Sequence, residues 1–98
     1  MEIEHHDERE FAKWYVRLGP VEKRKLRFEL DRLEMEGVRL GLPHVRELGD
    51  GLYELRVRVG QQPRLYFEYA SSSRVRMLTY GRKDTQDRDI RRARGRMT

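Results

Sequence analysis

The sequence predicts an α+β fold in which an N-terminal helical hairpin packs on a small antiparallel sheet of three or four strands, with a short helix at the C-terminus. Three observations predict it. Apolar residues recur at helical spacing before residue 38, and at alternate positions after residue 51. The 98 residues contain no internal repeat and no linker longer than a turn, so we expect residues 1–98 to form one domain.

The first helix is predicted from an aromatic stripe. Asp7 has the side chain of an N-cap. Four apolar residues follow it at the helical positions i, i+3, i+4 and i+7, namely Phe11, Trp14, Tyr15 and Leu18. Gly19 ends this helix. The weak alternation of residues 1–5 leaves open a short edge strand in front of it.

The second helix is predicted to begin at Pro20, which suits a first helical turn. Leu26, Leu30 and Leu33 continue a helical stripe, and Gly37 offers a C-terminal cap. Because only a tight turn joins the two helices, we expect them to pair as a hairpin.

The apolar period changes to two beyond residue 51. Apolar residues fall on one face of a predicted strand and charged residues on the other: Tyr53, Leu55, Val57 and Val59 against Glu54, Arg56 and Arg58. Turns then separate two further strands, residues 64–70 and 74–80. Residues 84–97 predict a short basic helix that docks lightly or frays.

The basic charge lies in the second half of the chain. Residues 1–50 carry 10 Lys and Arg against 12 Asp and Glu, whereas residues 51–98 carry 12 against 5, so the two net charges are −2 and +7. Eleven of those twelve cations are arginine. Since a guanidinium grips phosphate with two hydrogen bonds, this pattern predicts a polyanion-binding surface. Surface arginines kept for solubility are the alternative.

Several of these cations share one predicted surface. Arg56 and Arg58 lie on one strand face, and antiparallel pairing brings Arg64 within reach of them. Such a group binds a phosphate or is solvated at the sheet surface. Tyr66 and Tyr80 are interpreted either as stacking and proton-bearing groups beside the arginines or as ordinary half-buried strand residues.

The junction after the last strand offers further cations. Gly81 gives backbone freedom, Arg82 and Lys83 supply charge, and Asp84 or Thr85 caps the following helix, whose N-terminus favours anions. The junction is interpreted either as a phosphate site or as a capped helix start beside two solvated cations.

Other chemistries are disfavoured by what the chain lacks. Without cysteine there is no disulfide, thiolate zinc site or cysteine nucleophile, and the three histidines form no metal-ligand pattern, so no metal or cofactor is predicted. His44 either carries a proton at neutral pH or is a polar loop group. No apolar stretch approaches membrane-spanning length, and the acidic residues 1–7 are unlike a signal peptide, so we expect a cytoplasmic protein without membrane contact.

One set of residues extends along nearly the whole chain. It comprises Trp14, the stretch Leu42-Pro43-His44-Val45, the run Gly51-Leu52-Tyr53-Glu54-Leu55-Arg56-Val57, the run Arg64-Leu65-Tyr66-Phe67, and the ending Arg82-Lys83-Asp84-Thr85 with Ile90, Ala93 and Arg94. This set resembles the RelE/HigB-like toxins, specifically the phage-derived branch of that superfamily. The Glu-Leu-Arg strand, followed by Arg64 eight residues after its arginine, is the most specific part.

The resemblance implies the toxin of a type II toxin-antitoxin module with a RelE-like fold. It implies a metal-independent mRNA endoribonuclease that enters the ribosomal A site and leaves 2′,3′-cyclic phosphate and 5′-OH ends. The implied partners are a cognate helix-turn-helix antitoxin and, only through the toxin-antitoxin complex, operator DNA.

The resemblance and the surface argument together select the candidate site residues. Catalytic roles fall to Arg56, Arg64, Lys83 and Tyr80, and RNA-binding roles to Arg58, Tyr66, Arg82 and Arg76. Two alternatives remain open. The chain is a non-catalytic basic nucleic-acid-binding domain, or a decayed toxin acting through its antitoxin in operon repression; or its charged surface is an antitoxin-binding face only.

Overall fold

A five-stranded mixed sheet forms the centre of the fold. The computed structural model describes residues 1–98. The strands are β1 (Glu2–His5), β2 (Val45–Gly49), β3 (Leu52–Arg56), β4 (Pro63–Ser71) and β5 (Arg74–Arg82). They lie in the order β1-β5-β4-β3-β2. All neighbours are antiparallel except β1 and β5, which are parallel.

Three helices surround the sheet: α1 (Glu8–Val16), α2 (Pro20–Glu36) and α3 (Gln86–Arg96). The predicted start of α1 is confirmed, because a carboxylate oxygen of Asp7 accepts hydrogen bonds from the backbone N–H groups of Arg9 and Glu10 at 3.0 and 3.1 Å. Pro20 occupies the first turn of α2 as expected. None of the three helices has the length and apolar character that a membrane span requires.

The larger core lies on the sheet face that α1 and α2 cover. The leucine stripe of α2 is buried there against apolar residues of the three central strands, and the aromatic stripe of α1 packs at its margin. The buried members include Leu26, Leu30, Leu33, Leu55, Leu65, Phe67, Val75 and Met77. The two apolar periods found in the sequence therefore correspond to two layers, helical and sheet, packed on each other.

A second, smaller core lies on the opposite face, beneath α3. Leu52, Tyr66, Leu78 and Ala93 are fully buried there. Arg94 donates to the backbone carbonyls of Leu48 and Gly49, and these bonds tie α3 across the sheet. The prediction of a lightly docked or fraying helix is therefore wrong, because few but well-placed apolar residues suffice where arginines also bond strand carbonyls.

The predicted helical hairpin is also wrong. The helix α1 packs mainly on β5, while α2 packs on the larger core. The ring of Trp14 stacks on Tyr80 of β5 at 5.2 Å between centroids. Each helix thus finds its apolar partner on the sheet, which offers a broader apolar surface than a neighbouring helix does.

The sheet has two strands more than the three read from strong alternation. The strand β1 confirms the short edge strand left open for residues 1–5. The strand β2 was missed because Val45 faces the larger core and Leu48 the smaller one, so its apolar residues do not alternate. No tight turn joins β1 to β5, so β1 is free to run parallel in a sheet predicted to be antiparallel.

Candidate functional site

Antiparallel pairing gathers five predicted site residues at one end of the sheet. The strands β3 and β5 end where β4 begins, and Arg64 is the register partner of both Arg56 and Gly81. Lys83 follows directly after β5. We call this region the basic end of the sheet, and it comprises Arg56, Arg58, Arg64, Arg82 and Lys83.

Arg64 is the buried cation of the basic end. Its residue surface is only 2% exposed, and its Nε and Nη1 atoms have no hydrogen-bond partner. Its Nη2 atom donates to the side-chain oxygen of Gln62 over 3.4 Å, a long bond. Burial lowers the pKa of Arg64, and the nearby Glu54 carboxylate opposes this shift. An anion that accepted hydrogen bonds from Nε and Nη1 would remove the free-energy cost of burying these two donors without partners.

The carboxylate of Glu54 lies near both Arg56 and Arg64. Oε1 lies 3.9 Å from Nε of Arg56, and Oε2 accepts a 2.5 Å hydrogen bond from the side-chain amide of Gln86. The sequence placed Glu54 on an exposed charged face, and that expectation is wrong. Glu54 is fully buried because α3 crosses this face of the sheet.

Tyr66 lies on the same face as Arg64, two residues further along β4. It is fully buried opposite Glu54 and Thr79, and its hydroxyl has no hydrogen-bond partner. Burial, reinforced by the Glu54 carboxylate, raises the pKa of Tyr66. Of the two interpretations of this tyrosine, the buried one holds in this conformation, where no nucleobase can stack on its ring.

Tyr80 lies on the other face of the sheet. It pairs with Leu65, while Arg64 pairs with Gly81, so strand alternation points Tyr80 away from the arginines. Its hydroxyl is hydrogen-bonded to Nδ1 of His5, and burial raises the pKa of Tyr80. The expectation that Tyr80 lies beside the arginines is therefore wrong, although β5 was placed correctly.

Arg76 lies near the opposite end of β5. Its Nη2 atom is 2.9 Å from Oε2 of Glu68, and Glu68 is its register partner. Glu68 is four residues from Arg64 along β4, a separation of about 13 Å in a strand. The structure therefore does not bring Arg76 to the basic end.

The exposed cations of the basic end differ in whether they form ion pairs within the protein. Arg82 lies 3.2 Å from Asp84 and also donates to the side chain of Gln61. Arg58 and Lys83 are exposed and form no ion pair. These two free cations are the ones most available to a polyanion in solution.

The turn between β3 and β4 is pinned by a residue that sequence reasoning missed. Glu22 accepts from the backbone N–H of Gly19 at 2.9 Å and from that of Gln61 at 2.7 Å. Gly60 has a φ of +59°, and a Cβ there would lie 2.4 Å from the Glu22 carboxylate. These hydrogen bonds hold the turn against α2, and Gln62 and Arg64, which follow the turn, lie at the basic end.

A second missed group lies beside Arg56 and Arg58. Nδ1 of His44 is 2.8 Å from Oε2 of Glu29, whose side chain is buried. Lys25 lies 3.4 Å from the other oxygen. One sequence signal was present, because Glu29 occupies a buried position on the leucine stripe of α2.

An open cleft of about 330 Å³ joins this pair to the basic end, and it is lined by Lys25, Glu29, Pro43, His44, Arg56 and Arg58. A neighbouring cleft of about 540 Å³ lies between the start of α2 and the end of β5, and its cations are Arg17, Arg82 and Arg88. No group of three or more His, Asp or Glu side chains is placed to hold a metal ion. The residues that line the two clefts can bind an anion through guanidinium and ammonium groups, with one imidazole beside them.

The five-stranded sheet and its flanking helices define a RelE-like α+β fold. Over 93% of this chain and 95% of the other, the structure matches a mutant of the E. coli toxin RelE in the free state, with a TM-score of 0.62 and 18% identity. At that identity the match establishes the fold.

The sequence defines the family more closely. The family model described as phage derived protein Gp49-like matches residues 13–98. An uncharacterized protein of Haemophilus influenzae is 31% identical over 84 residues, which are 85% of this chain and 81% of that protein. The chain belongs to the Gp49-like phage-derived family, and the predicted resemblance to RelE-like, phage-derived toxins is confirmed.

Proposed function

We propose that this protein is the toxin of a type II toxin-antitoxin module and a ribosome-dependent mRNA endoribonuclease. The observation that carries the proposal is Arg64. Its guanidinium is buried at the basic end with two nitrogens unpaired, between Arg56 and the exposed cations. A site that concentrates cations without partners is suited to an anion that arrives from outside, and an RNA phosphate has the matching charge and oxygen geometry.

The chemistry that fits these residues needs no metal ion. The ribose 2′-hydroxyl attacks the adjacent phosphorus, and the 5′-oxygen leaves, which produces a 2′,3′-cyclic phosphate and a 5′-OH. In a conformation that opens the buried guanidinium of Arg64, Arg56 and Arg64 hold the two non-bridging oxygens, and a phosphate oxygen takes the place of Gln62 on Arg64. Arg58 and Lys83 stabilise the charge that develops in the transition state.

The tyrosines have no direct part in this proposal. Tyr66 is buried under α3 and Tyr80 lies on the other face, so neither reaches a phosphate at the basic end. Holding and distorting the mRNA is left to the ribosome.

The proposed partner is a helix-turn-helix antitoxin, and operator DNA is bound only through the toxin-antitoxin complex. An mRNA substrate on the ribosome places the action in the cytoplasm. An antitoxin that covered the basic end would neutralise the protein by occluding Arg58 and Lys83, the exposed cations without ion pairs.

The test is cell-free translation of a defined mRNA with the purified protein, followed by primer extension. New 5′ ends that appear only with ribosomes support the proposal. Cutting in the absence of ribosomes would indicate a general ribonuclease and contradict the proposed dependence on the ribosome. Intact mRNA with a folded protein would refute the endoribonuclease activity. If a helix-turn-helix gene adjoins the gene of this protein, addition of its product should suppress the cuts.

One observation favours a second candidate, a non-catalytic protein acting by binding in operon repression. Arg64 is 2% exposed, and α3 covers the adjoining sheet face, so in this conformation the buried cation faces no solvent. Under this candidate the exposed cations bind nucleic acid electrostatically. Binding then weakens steeply with salt and the RNA stays intact.

A further inference from the structure

We propose that His44, held by the buried carboxylate of Glu29, is the general base that takes the 2′-hydroxyl proton in the RNA cleavage described above. The inference rests on that proposed function and adds to it the group that moves the proton. None of the arginines can do so, because a guanidinium stays protonated at any physiological pH.

The hydrogen bond to Glu29 selects one form of the imidazole. Nδ1 lies 2.8 Å from Oε2 of Glu29, and a carboxylate only accepts, so Nδ1 carries the hydrogen. In the neutral ring Nε2 then has a free lone pair, and no protein group is hydrogen-bonded to it. A buried carboxylate that orients an imidazole is a recurring arrangement in acid-base catalysis.

The imidazole is also accessible. The side chain of His44 is 26% exposed, whereas that of Glu29 is 2% exposed. The ring therefore borders the open cleft while its orienting partner is hidden behind it. A hydrogen bond to Glu29 does not require an exposed imidazole. One side of the His44 ring nevertheless borders the cleft, whose cations are Lys25, Arg56 and Arg58.

The backbone fixes His44 relative to the phosphate-binding arginines. The backbone N–H of Arg56 donates to the carbonyl of His44 at 2.9 Å. The charged groups that face the cleft are Lys25, Glu29, Arg56 and Arg58. A phosphate held by Arg56 would thus lie against a side chain that lines the same cleft as His44.

The step balances without any further reactant than water. The 2′-hydroxyl proton passes to Nε2 of His44 as the 2′-oxygen forms its bond to phosphorus. The bond between phosphorus and the 5′-oxygen breaks, and the leaving oxygen takes a proton from water. His44 then returns its proton to solvent, and the products are the cyclic phosphate and the 5′-OH.

The experiment measures single-turnover cleavage on ribosomes programmed with a defined mRNA. His44→Gln should lower the rate about 10²-fold, the lower range for loss of a general base. Glu29→Gln tests the positioning residue and should change the pH profile of the cleavage rate. His6→Gln is the matched control, because His6 is exposed and lies outside the basic end.

A second variant separates chemistry from folding. In His44→Ala, added imidazole should restore part of the lost rate, which it would not do if His44 only tied the loop to α2. Wild-type cutting with an unchanged rate in His44→Gln would overturn the inference and leave the proposed function standing. So would a slow His44→Ala protein that melts normally and is not rescued. Failure of the wild-type protein to cut any mRNA overturns the proposed function and this inference together.

Discussion

Arg56 and Arg64 are register partners on β3 and β4, yet only Arg56 lies within ion-pair distance of a carboxylate. Nε of Arg56 is 3.9 Å from Glu54, whereas Arg64 forms no ion pair and keeps two buried nitrogens without partners. Two guanidinium groups on one sheet face repel each other. The basic end therefore lowers the stability of the free protein, and a bound anion would relieve the repulsion. The groups that serve anion binding are thus not the groups that stabilise the fold.

Replacing Arg64 with an apolar side chain should stabilise the protein and abolish its activity. Burial lowers the pKa of Arg64, so keeping its guanidinium charged costs the folded protein stability at physiological pH. Arg64→Met should raise the free energy of unfolding by about 1 kcal/mol, since it removes a buried charge whose desolvation no ion pair offsets. Urea denaturation and the cleavage assay measure the two effects.

The matched control is Arg76→Met at the other end of β5. It leaves the 7% exposed Glu68 without its cation, so it should lower the free energy of unfolding and leave cleavage unchanged. A destabilised Arg64→Met protein, or an inactive Arg76→Met protein, would contradict this division between the two ends of the sheet.

Lys83 should contribute to RNA affinity through its charge alone. It is exposed and unpaired, so Lys83→Ala should weaken binding to single-stranded RNA and reduce the slope of log K against log salt by about 0.7. Fluorescence anisotropy over a salt series measures both. The control is Arg74→Ala, because Arg74 pairs with Glu2 and Glu4 at the far end of β5. Equal slopes for the two variants would place the RNA elsewhere.

Gly81 should be required for the closeness of β5 and α3. A Cβ at Gly81 would lie 1.7 Å from Oδ2 of Asp89, which is fully buried and bonded to Thr85. Gly81→Ala should therefore lower the free energy of unfolding by about 1–3 kcal/mol through overpacking. Gly95→Ala meets nothing within 4 Å and should raise it by about 0.5–1 kcal/mol, because alanine favours helix. Denaturant titration of both variants checks the opposite signs.

Stability should fall on acidification partly through His5. Burial lowers the pKa of His5, and Glu8 opposes this shift. Between the lowered pKa and the ordinary one near 6.5, the unfolded chain binds the proton and the folded protein does not, so stability rises with pH in that window. The free energy of unfolding should drop less steeply from about pH 7 to 5 in His5→Asn than in the wild type. His6→Gln, at an exposed site, should keep the wild-type slope.

Local rules predicted the parts of the fold that depend on one segment. Asp7 and Pro20 marked two helix starts, and the alternation around Leu55 marked β3. The arrangement of those parts depends on surfaces that meet only in three dimensions. Trp14 stacks on Tyr80 of β5, and that contact, more than the tight turn at Gly19, decides where α1 lies.

The site was predictable where strand register is simple. Arg56 and Arg64 were expected to share a face, and they are register partners. Tyr80 went to the other face because Gly81 takes the position opposite Arg64. The pairing of His44 with Glu29 joins a loop to a helix fifteen residues away, and no period in the sequence encodes such a contact.

The most direct test of the central claim, that Arg64 binds the phosphate of an RNA which this protein cuts, is the rate and end chemistry of cleavage on programmed ribosomes. Wild-type protein should leave a 2′,3′-cyclic phosphate at the mapped cut, and Arg64→Met should cut at least about 10²-fold more slowly while melting no lower. Uncut mRNA with folded wild-type protein, or equal rates for the two proteins, would contradict the claim.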